Sequence, residues 1–147
     1  MRLNRAAVVS AGIADWILGA VWFKTFGAPW QAGTRIPPEE WKAYTAHPNF
    51  WPYIIALVCS ILIAYVIARV LSSCQTHSLL SGIGIGILIG LAAAFAMITE
   101  MVFEIRPIQF IMISAAYPLL GCILMGIIVG VWEPKAKAEL SSAPASP

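Results

Sequence analysis

The stretch LLSGIGIGILIGLAAAFAMITEMVF, residues 79–103, decides the fold. It carries no charged residue before Glu100. As a helix rising 1.5 Å per residue it covers about 37 Å, more than the roughly 30 Å of hydrocarbon in a bilayer. Lipid offers a peptide backbone no hydrogen-bond partner, so a segment of this kind is helical. A membrane barrel needs many short segments of alternating polarity, and no such series is seen in the chain.

Outward from this stretch lie three more apolar runs, about residues 6–26 and 51–71 before it and 108–132 after it. Each approaches or exceeds the roughly 20 residues that cross a membrane. The expected fold is an all-α membrane protein, a four-transmembrane-helix bundle with a long aromatic-rich loop between its first two helices. Composition agrees: of 147 residues 60% are hydrophobic and only 11% charged, with mean hydropathy +0.83. Soluble domains carry about 25% charged residues, because a solvated surface needs them. Residues 1–132 form one domain on this reading. Residues 133–147, rich in Ala, Ser, Pro and Lys, cannot build a core and read as a disordered polar tail.

Arg2 and Arg5 ahead of an apolar run resemble a secretory signal. Asp15 and the bulky Trp16, Trp22 and Phe23 interrupt that pattern, and no small-residue cleavage site follows, so a retained first helix is expected. The second and third runs are joined by a short polar turn, residues 72–78. The third and fourth are joined by Glu104-Ile105-Arg106-Pro107, where Pro107 ends one helix and can start the next. Short connections make those neighbours antiparallel. The first connection, residues 27–50, holds four prolines together with Trp30, Trp41, Tyr44 and Phe50. Within it Pro38-Glu39-Glu40-Trp41 looks like a helix start, its acids near the positive dipole end. A short helix lying at the membrane surface is expected there, with its rings at headgroup level.

Four crossings put both termini on one side. Arg2, Arg5, Arg69, Lys135 and Lys137 lie on that side, against Lys24, Arg35, Lys42 and Arg106 on the other. Five positives against four favour cytoplasmic termini. The net charge of +2 comes without a basic stripe, which excludes nucleic acid as a partner. Cys59, Cys74 and Cys122 show neither a disulfide framework nor metal-ligand spacing. His47 and His77 sit at opposite ends of the second helix, so no metal and no cofactor is expected.

Gly19-Ala20-Val21-Trp22-Phe23, followed by Phe26-Gly27 and Trp30, resembles the opening of a bacterial membrane family known as domain of unknown function 1761. Phe103-Glu104-Ile105-Arg106-Pro107 resembles that family's signature between its last two helices. Gly126, Gly130 and Trp132 are similar to its closing helix. The resemblance implies a four-helix domain of the bacterial inner membrane and carries no catalytic or binding role with it. Asp15 stands where the family pattern has an apolar or small residue.

Two stripes of small residues stand out. Gly82, Gly86 and Gly90 recur every fourth residue on the third helix, and Ser114, Pro118, Cys122, Gly126 and Gly130 on the fourth. Small side chains let helices approach closely, and that close packing holds helices together in lipid. The stripes are expected to pack within or between protomers, and a homodimer is the expected oligomer. A pore lined by glycine is the alternative.

Asp15 lies about nine residues into the first helix, roughly 13 Å deep. A carboxylate at such a depth costs at least about 2.5 kcal/mol, so it should face protein. Counted by the same rise, Ser60 and Tyr117 fall at a similar level. A mid-membrane polar cluster of Asp15, Ser60 and Tyr117 is the candidate site. The plain alternative is a protonated carboxyl, hydrogen-bonded in a packed core. A second group, Lys24, Glu100, Glu104 and Arg106, forms an interface charge cluster in which Lys24–Glu100 or Arg106–Glu104 contacts are conceivable. Its plain reading is a set of snorkelling charges that fixes helix depth.

No nucleophile–base pair, phosphate loop or dinucleotide fingerprint is present. The expectation is therefore not an enzyme. It is an oligomeric binding or transport protein for a cation, a proton or a small amphiphile, working through the polar cluster, with membrane lipid around it and its ligand unidentified. A structural or accessory subunit that packs against another membrane protein or lipid is the competing expectation. Whether Asp15 faces a hydrated cavity or dry packing separates the two.

Overall fold

Asn4 starts the first helix, its side-chain oxygen accepting hydrogen bonds from the backbone N–H groups of Ala6 and Ala7. This computed structural model describes residues 3–47, 49–75 and 77–132. The tail 133–147, expected to be disordered, lies outside the described residues, and so do Arg2, Lys135 and Lys137. Among the described residues there are five helices and no strand: α1 Arg5–Thr34, α2 Pro38–Ala46, α3 Trp51–Ser73, α4 Leu79–Phe103 and α5 Ile108–Val131. All but α2 are long and apolar enough to cross a membrane.

The first helix runs past the end read from sequence. Residues 27–34, assigned to the loop, are helical, and Pro29 lies inside α1. Proline removes one backbone bond, a loss that membrane helices tolerate where neighbours pack against them. Here Trp30 stacks on Phe110 of α5 with ring centroids 5.8 Å apart, and Gly33 lies against the same ring. Arg35, in the left-handed region at φ 60°, then ends the helix. The connection is therefore shorter than residues 27–50, and α2 fills much of it. That helix begins at Pro38 with Glu39 and Glu40 in its first turn, and it buries none of its residues.

Helix α5 packs against α1, α3 and α4, while α1 and α4 do not touch. The α4–α5 seam is the closest. A Cβ on Gly82 would overlap the Gly126 carbonyl oxygen, and one on Gly86 would lie 2.5 Å from the Cys122 oxygen. A Cβ on Gly90 would lie 2.9 Å from Leu119 Cα, and one on Gly130 2.6 Å from the Ser78 oxygen. The two small-residue stripes thus pack against each other inside one chain, bringing backbone against backbone. On the other side of α5, Ala11, Ala64, Ile67, Leu71 and Met125 form the buried core shared by α1, α3 and α5. Ile55, Leu62, Leu88 and Phe95 point outward and are exposed, as side chains solvated by lipid would be.

Candidate functional site: a buried carboxyl among three helices

Asp15 sits on the face of α1 that meets α3 and α5, and it is 5% exposed. The Ser60 hydroxyl of α3 donates to its Oδ2 at 2.6 Å. The Tyr117 hydroxyl of α5 lies 3.4 Å from both Oδ2 and the Asp15 backbone oxygen. The structure thus brings Asp15, Ser60 and Tyr117 together from three helices. Oδ2 receives both hydroxyls, whereas no hydrogen bond reaches Oδ1, which lies directly against Gly121.

Two glycines make this arrangement possible. A Cβ at Gly121 would overlap Oδ1, and a Cβ at Gly19 would lie 2.8 Å from the Tyr117 hydroxyl oxygen. Two tryptophans fix the rotation of α1: Trp16 Nε1 donates to the Tyr53 oxygen of α3 at 3.0 Å, and Trp22 Nε1 to the Ile113 oxygen of α5 at 3.2 Å. Next to Tyr117, Pro118 has no N–H to offer the Ser114 carbonyl, and the buried Ser114 hydroxyl has no partner. Gly121 was overlooked in the sequence, although it lies one helical turn beyond Tyr117 and so on the same face. The indole hydrogen bonds of Trp16 and Trp22 were not foreseen, since their carbonyl partners lie on other helices.

Among the described residues no cation pairs with Asp15. Among the described residues the one ion pair is Arg106 Nε to Glu104 Oε2, at 2.7 Å. Arg106 also donates to the backbone oxygens of Thr34 at 2.8 Å and Gly33 at 3.3 Å, and its guanidinium lies 5.4 Å from the centre of the Phe110 ring. It thereby caps the carbonyl end of α1, where a cation is favoured. Arg35 answers by donating to the Ile105 oxygen, so each arginine holds the other's turn. Lys24 and Glu100 are exposed and form no ion pair with each other, so the proposed cluster reduces to its Glu104–Arg106 half.

An unbroken aromatic run connects α2 with this site. Tyr44 lies 6.2 Å from Trp41, Trp41 6.1 Å from Trp30, Trp30 5.3 Å from Phe23 and Phe23 5.5 Å from Tyr117, measured between ring centroids. Among the described residues no group of three or more His, Cys, Asp or Glu could hold a metal ion. Cys59 and Cys74 are exposed thiols and Cys122 a buried one.

These features define a small helical membrane protein with four potential spans and a lone carboxyl tied to two hydroxyls between three of them. The family model described as protein of unknown function (DUF1761) matches residues 6–130, and the chain belongs to that family. No curated protein and no solved structure matches it.

Proposed function

We propose that the chain is a binding protein of the membrane, not an enzyme, whose working group is Asp15 and whose exchangeable ligand is a proton. The observation that carries this reading is a carboxyl buried among three helices, hydrogen-bonded by Ser60 and Tyr117, with no cation in contact. A bare carboxylate at that depth costs at least about 2.5 kcal/mol, and an arriving positive charge removes the cost. The close contact of Oδ1 with Gly121 favours a proton over an amphiphile or a hydrated cation. The reading includes a bacterial inner-membrane location with cytoplasmic termini and a homodimeric assembly. Transport is its stronger form, in which the proton enters from one face and leaves from the other.

The test is paired. Infrared spectra of the reconstituted protein should show a carboxyl band that titrates with pH and vanishes in Asp15→Asn. Liposomes holding the parent should leak protons under a voltage, and those holding Asp15→Asn should not. A titrating band without flux supports binding alone. Absence of both leaves the second reading, an accessory subunit, which the tight enclosure of Asp15 by Gly121 favours. Cysteine labelling in intact cells checks orientation: Thr34→Cys should react from outside and Ser142→Cys should not.

A further inference from the structure

Asp15 stands at the edge of the tight packing. In α1 the buried residues are Ala7, Val8, Ala11, Gly12 and Asp15, and then none until Gly33. In α3 they begin at Ser60 and end at Leu71, with none from Trp51 to Cys59. Both helices are therefore sealed on the Asn4 side of Asp15 and loosely packed on the α2 side. The sealed side is apolar, formed by Val8, Ala11, Ala64, Ile67, Leu71 and Met125. Asp15 lies eleven residues beyond Asn4, about 16 Å along the helix. A bare charge does not cross such a layer, since nothing in it hydrogen-bonds.

The α2 side carries the polar groups. Phe110, Ser114, Tyr117 and Gly121 recur at spacings of four, three and four, which is one face of α5. Phe110 meets Gly33 and Trp30, Tyr117 meets Gly19, and Gly121 meets Asp15, so this face turns toward α1. Ser114 stands on it three residues from Tyr117, in the direction of α2. It is 5% exposed, and its hydroxyl has no partner. Pro118 withholds the N–H that the Ser114 carbonyl would accept. In a spanning helix such a freed carbonyl is satisfied by a hydroxyl, a neighbouring helix or an ordered water. Here the nearest hydroxyl is itself unpaired. From Ser114 only six residues remain to the start of α5, about 9 Å.

Building on the reading of Asp15 as a proton site, we propose that it exchanges its proton only with the α2 face. The route is one water held at Ser114 and then the Tyr117 hydroxyl, which lies 3.4 Å from Oδ2. Each hydroxyl passes on its own proton and takes up the one that arrives, so Asp15 alone changes charge. The titratable groups facing Asp15 are the Tyr117 phenol and the Cys122 thiol of α5, while α3 presents Ser60.

The test follows the Asp15 carboxyl infrared band, identified by its loss in Asp15→Asn. Full-length Cys74→Ser, Thr34→Cys protein is reconstituted into vesicles with unequal orientations, and a membrane-impermeant thiol reagent counts the molecules with α2 outward. After a jump in external pH, the fraction of the band that responds at once should equal the labelled fraction. A response from the complementary fraction, or from the whole band, would overturn the proposal and leave Asp15 a proton site. A band fixed at every pH on both sides would sink both readings. In detergent, Ser114→Ala should keep its unfolding temperature and slow deuterium exchange of that carboxyl about tenfold, the worth of one hydrogen bond. Ser114→Thr retains the hydroxyl and should retain the rate. Unaltered exchange in folded Ser114→Ala would overturn the route, and the sided titration decides the direction without any variant at Ser114.

Discussion

Gly121→Ala puts one methyl group where the structure has no room for it. The added Cβ would overlap Asp15 Oδ1 and lie 3.2 Å from the carboxyl carbon. Overpacking of this kind costs about 1–3 kcal/mol. Displacing the carboxyl also weakens the 2.6 Å bond from Ser60, a loss of about 1 kcal/mol. Alanine offsets about 1 kcal/mol through its better helix propensity. The net expectation is destabilisation by about 1–3 kcal/mol. In an Asp15→Ala background the obstacle is absent, so Gly121→Ala should be neutral or stabilising by up to about 1 kcal/mol. The coupling between the two positions is then about 2 kcal/mol. Thermal unfolding of the parent, both single variants and the double variant in one detergent measures it, at roughly 2–4 °C per kcal/mol for a chain of this size. Additivity within about 0.5 kcal/mol would refute the placement of Asp15 against Gly121.

At the other seam, Gly86→Leu forces apart backbones so close that a Cβ alone would lie 2.5 Å from the Cys122 oxygen, so stability should fall by about 3 kcal/mol. Light scattering after size exclusion should show the assembly mass unchanged, because the stripe is consumed within one chain. A halved mass would put a dimer contact on this seam instead. Arg106→Gln withdraws the charged donor from the Thr34 and Gly33 oxygens and should destabilise by about 1 kcal/mol, since the site is partly solvated. Amide exchange through Trp30–Thr34 should quicken, and unaltered exchange there would show that Arg106 does not hold the end of α1.

Much of the fold was legible because the signal is long and one-dimensional: a run of apolar residues of the right length has one solution in lipid. The packing faces of α4 and α5 were also visible, since glycines at every fourth residue mark a face before any partner is known, but whether they meet within one chain or between two was left open until the structure paired them. Counting depth at 1.5 Å per residue placed Ser60 and Tyr117 level with Asp15, and the three do meet. Depth, however, says nothing of rotation. The contact of Gly121 with Oδ1 and the two indole bonds that turn α1 depend on which faces meet. The end of α1 was misplaced because Gly27 and Pro29 are stop signals in local terms, while what carries the helix past them is Phe110, distant in sequence. The contact of Arg35 was not foreseen for the same reason, since its partner is a carbonyl in another turn.

Helix α5 joins two seams built on different physics. Toward α4 it presents Gly126 and Gly130, and the contact is backbone against backbone, held by dispersion over surfaces with no side chain between them. Toward α1 it presents Tyr117 and Gly121, and the contact closes around a single carboxyl whose second tie comes from α3. The seams fail in different ways. Adding a methyl group breaks the first by overlap, and no change of charge or pH repairs it. Removing a hydroxyl or the carboxyl breaks the second by leaving a buried polar group unpaired, at about 1–3 kcal/mol. Conservative polar replacement is therefore the discriminating perturbation. Asp15→Asn keeps an oxygen acceptor for Ser60 and Tyr117 while withdrawing the proton-binding group. It leaves the second seam standing, so flux or titration lost in that variant reports the chemistry of Asp15 and not the collapse of the bundle.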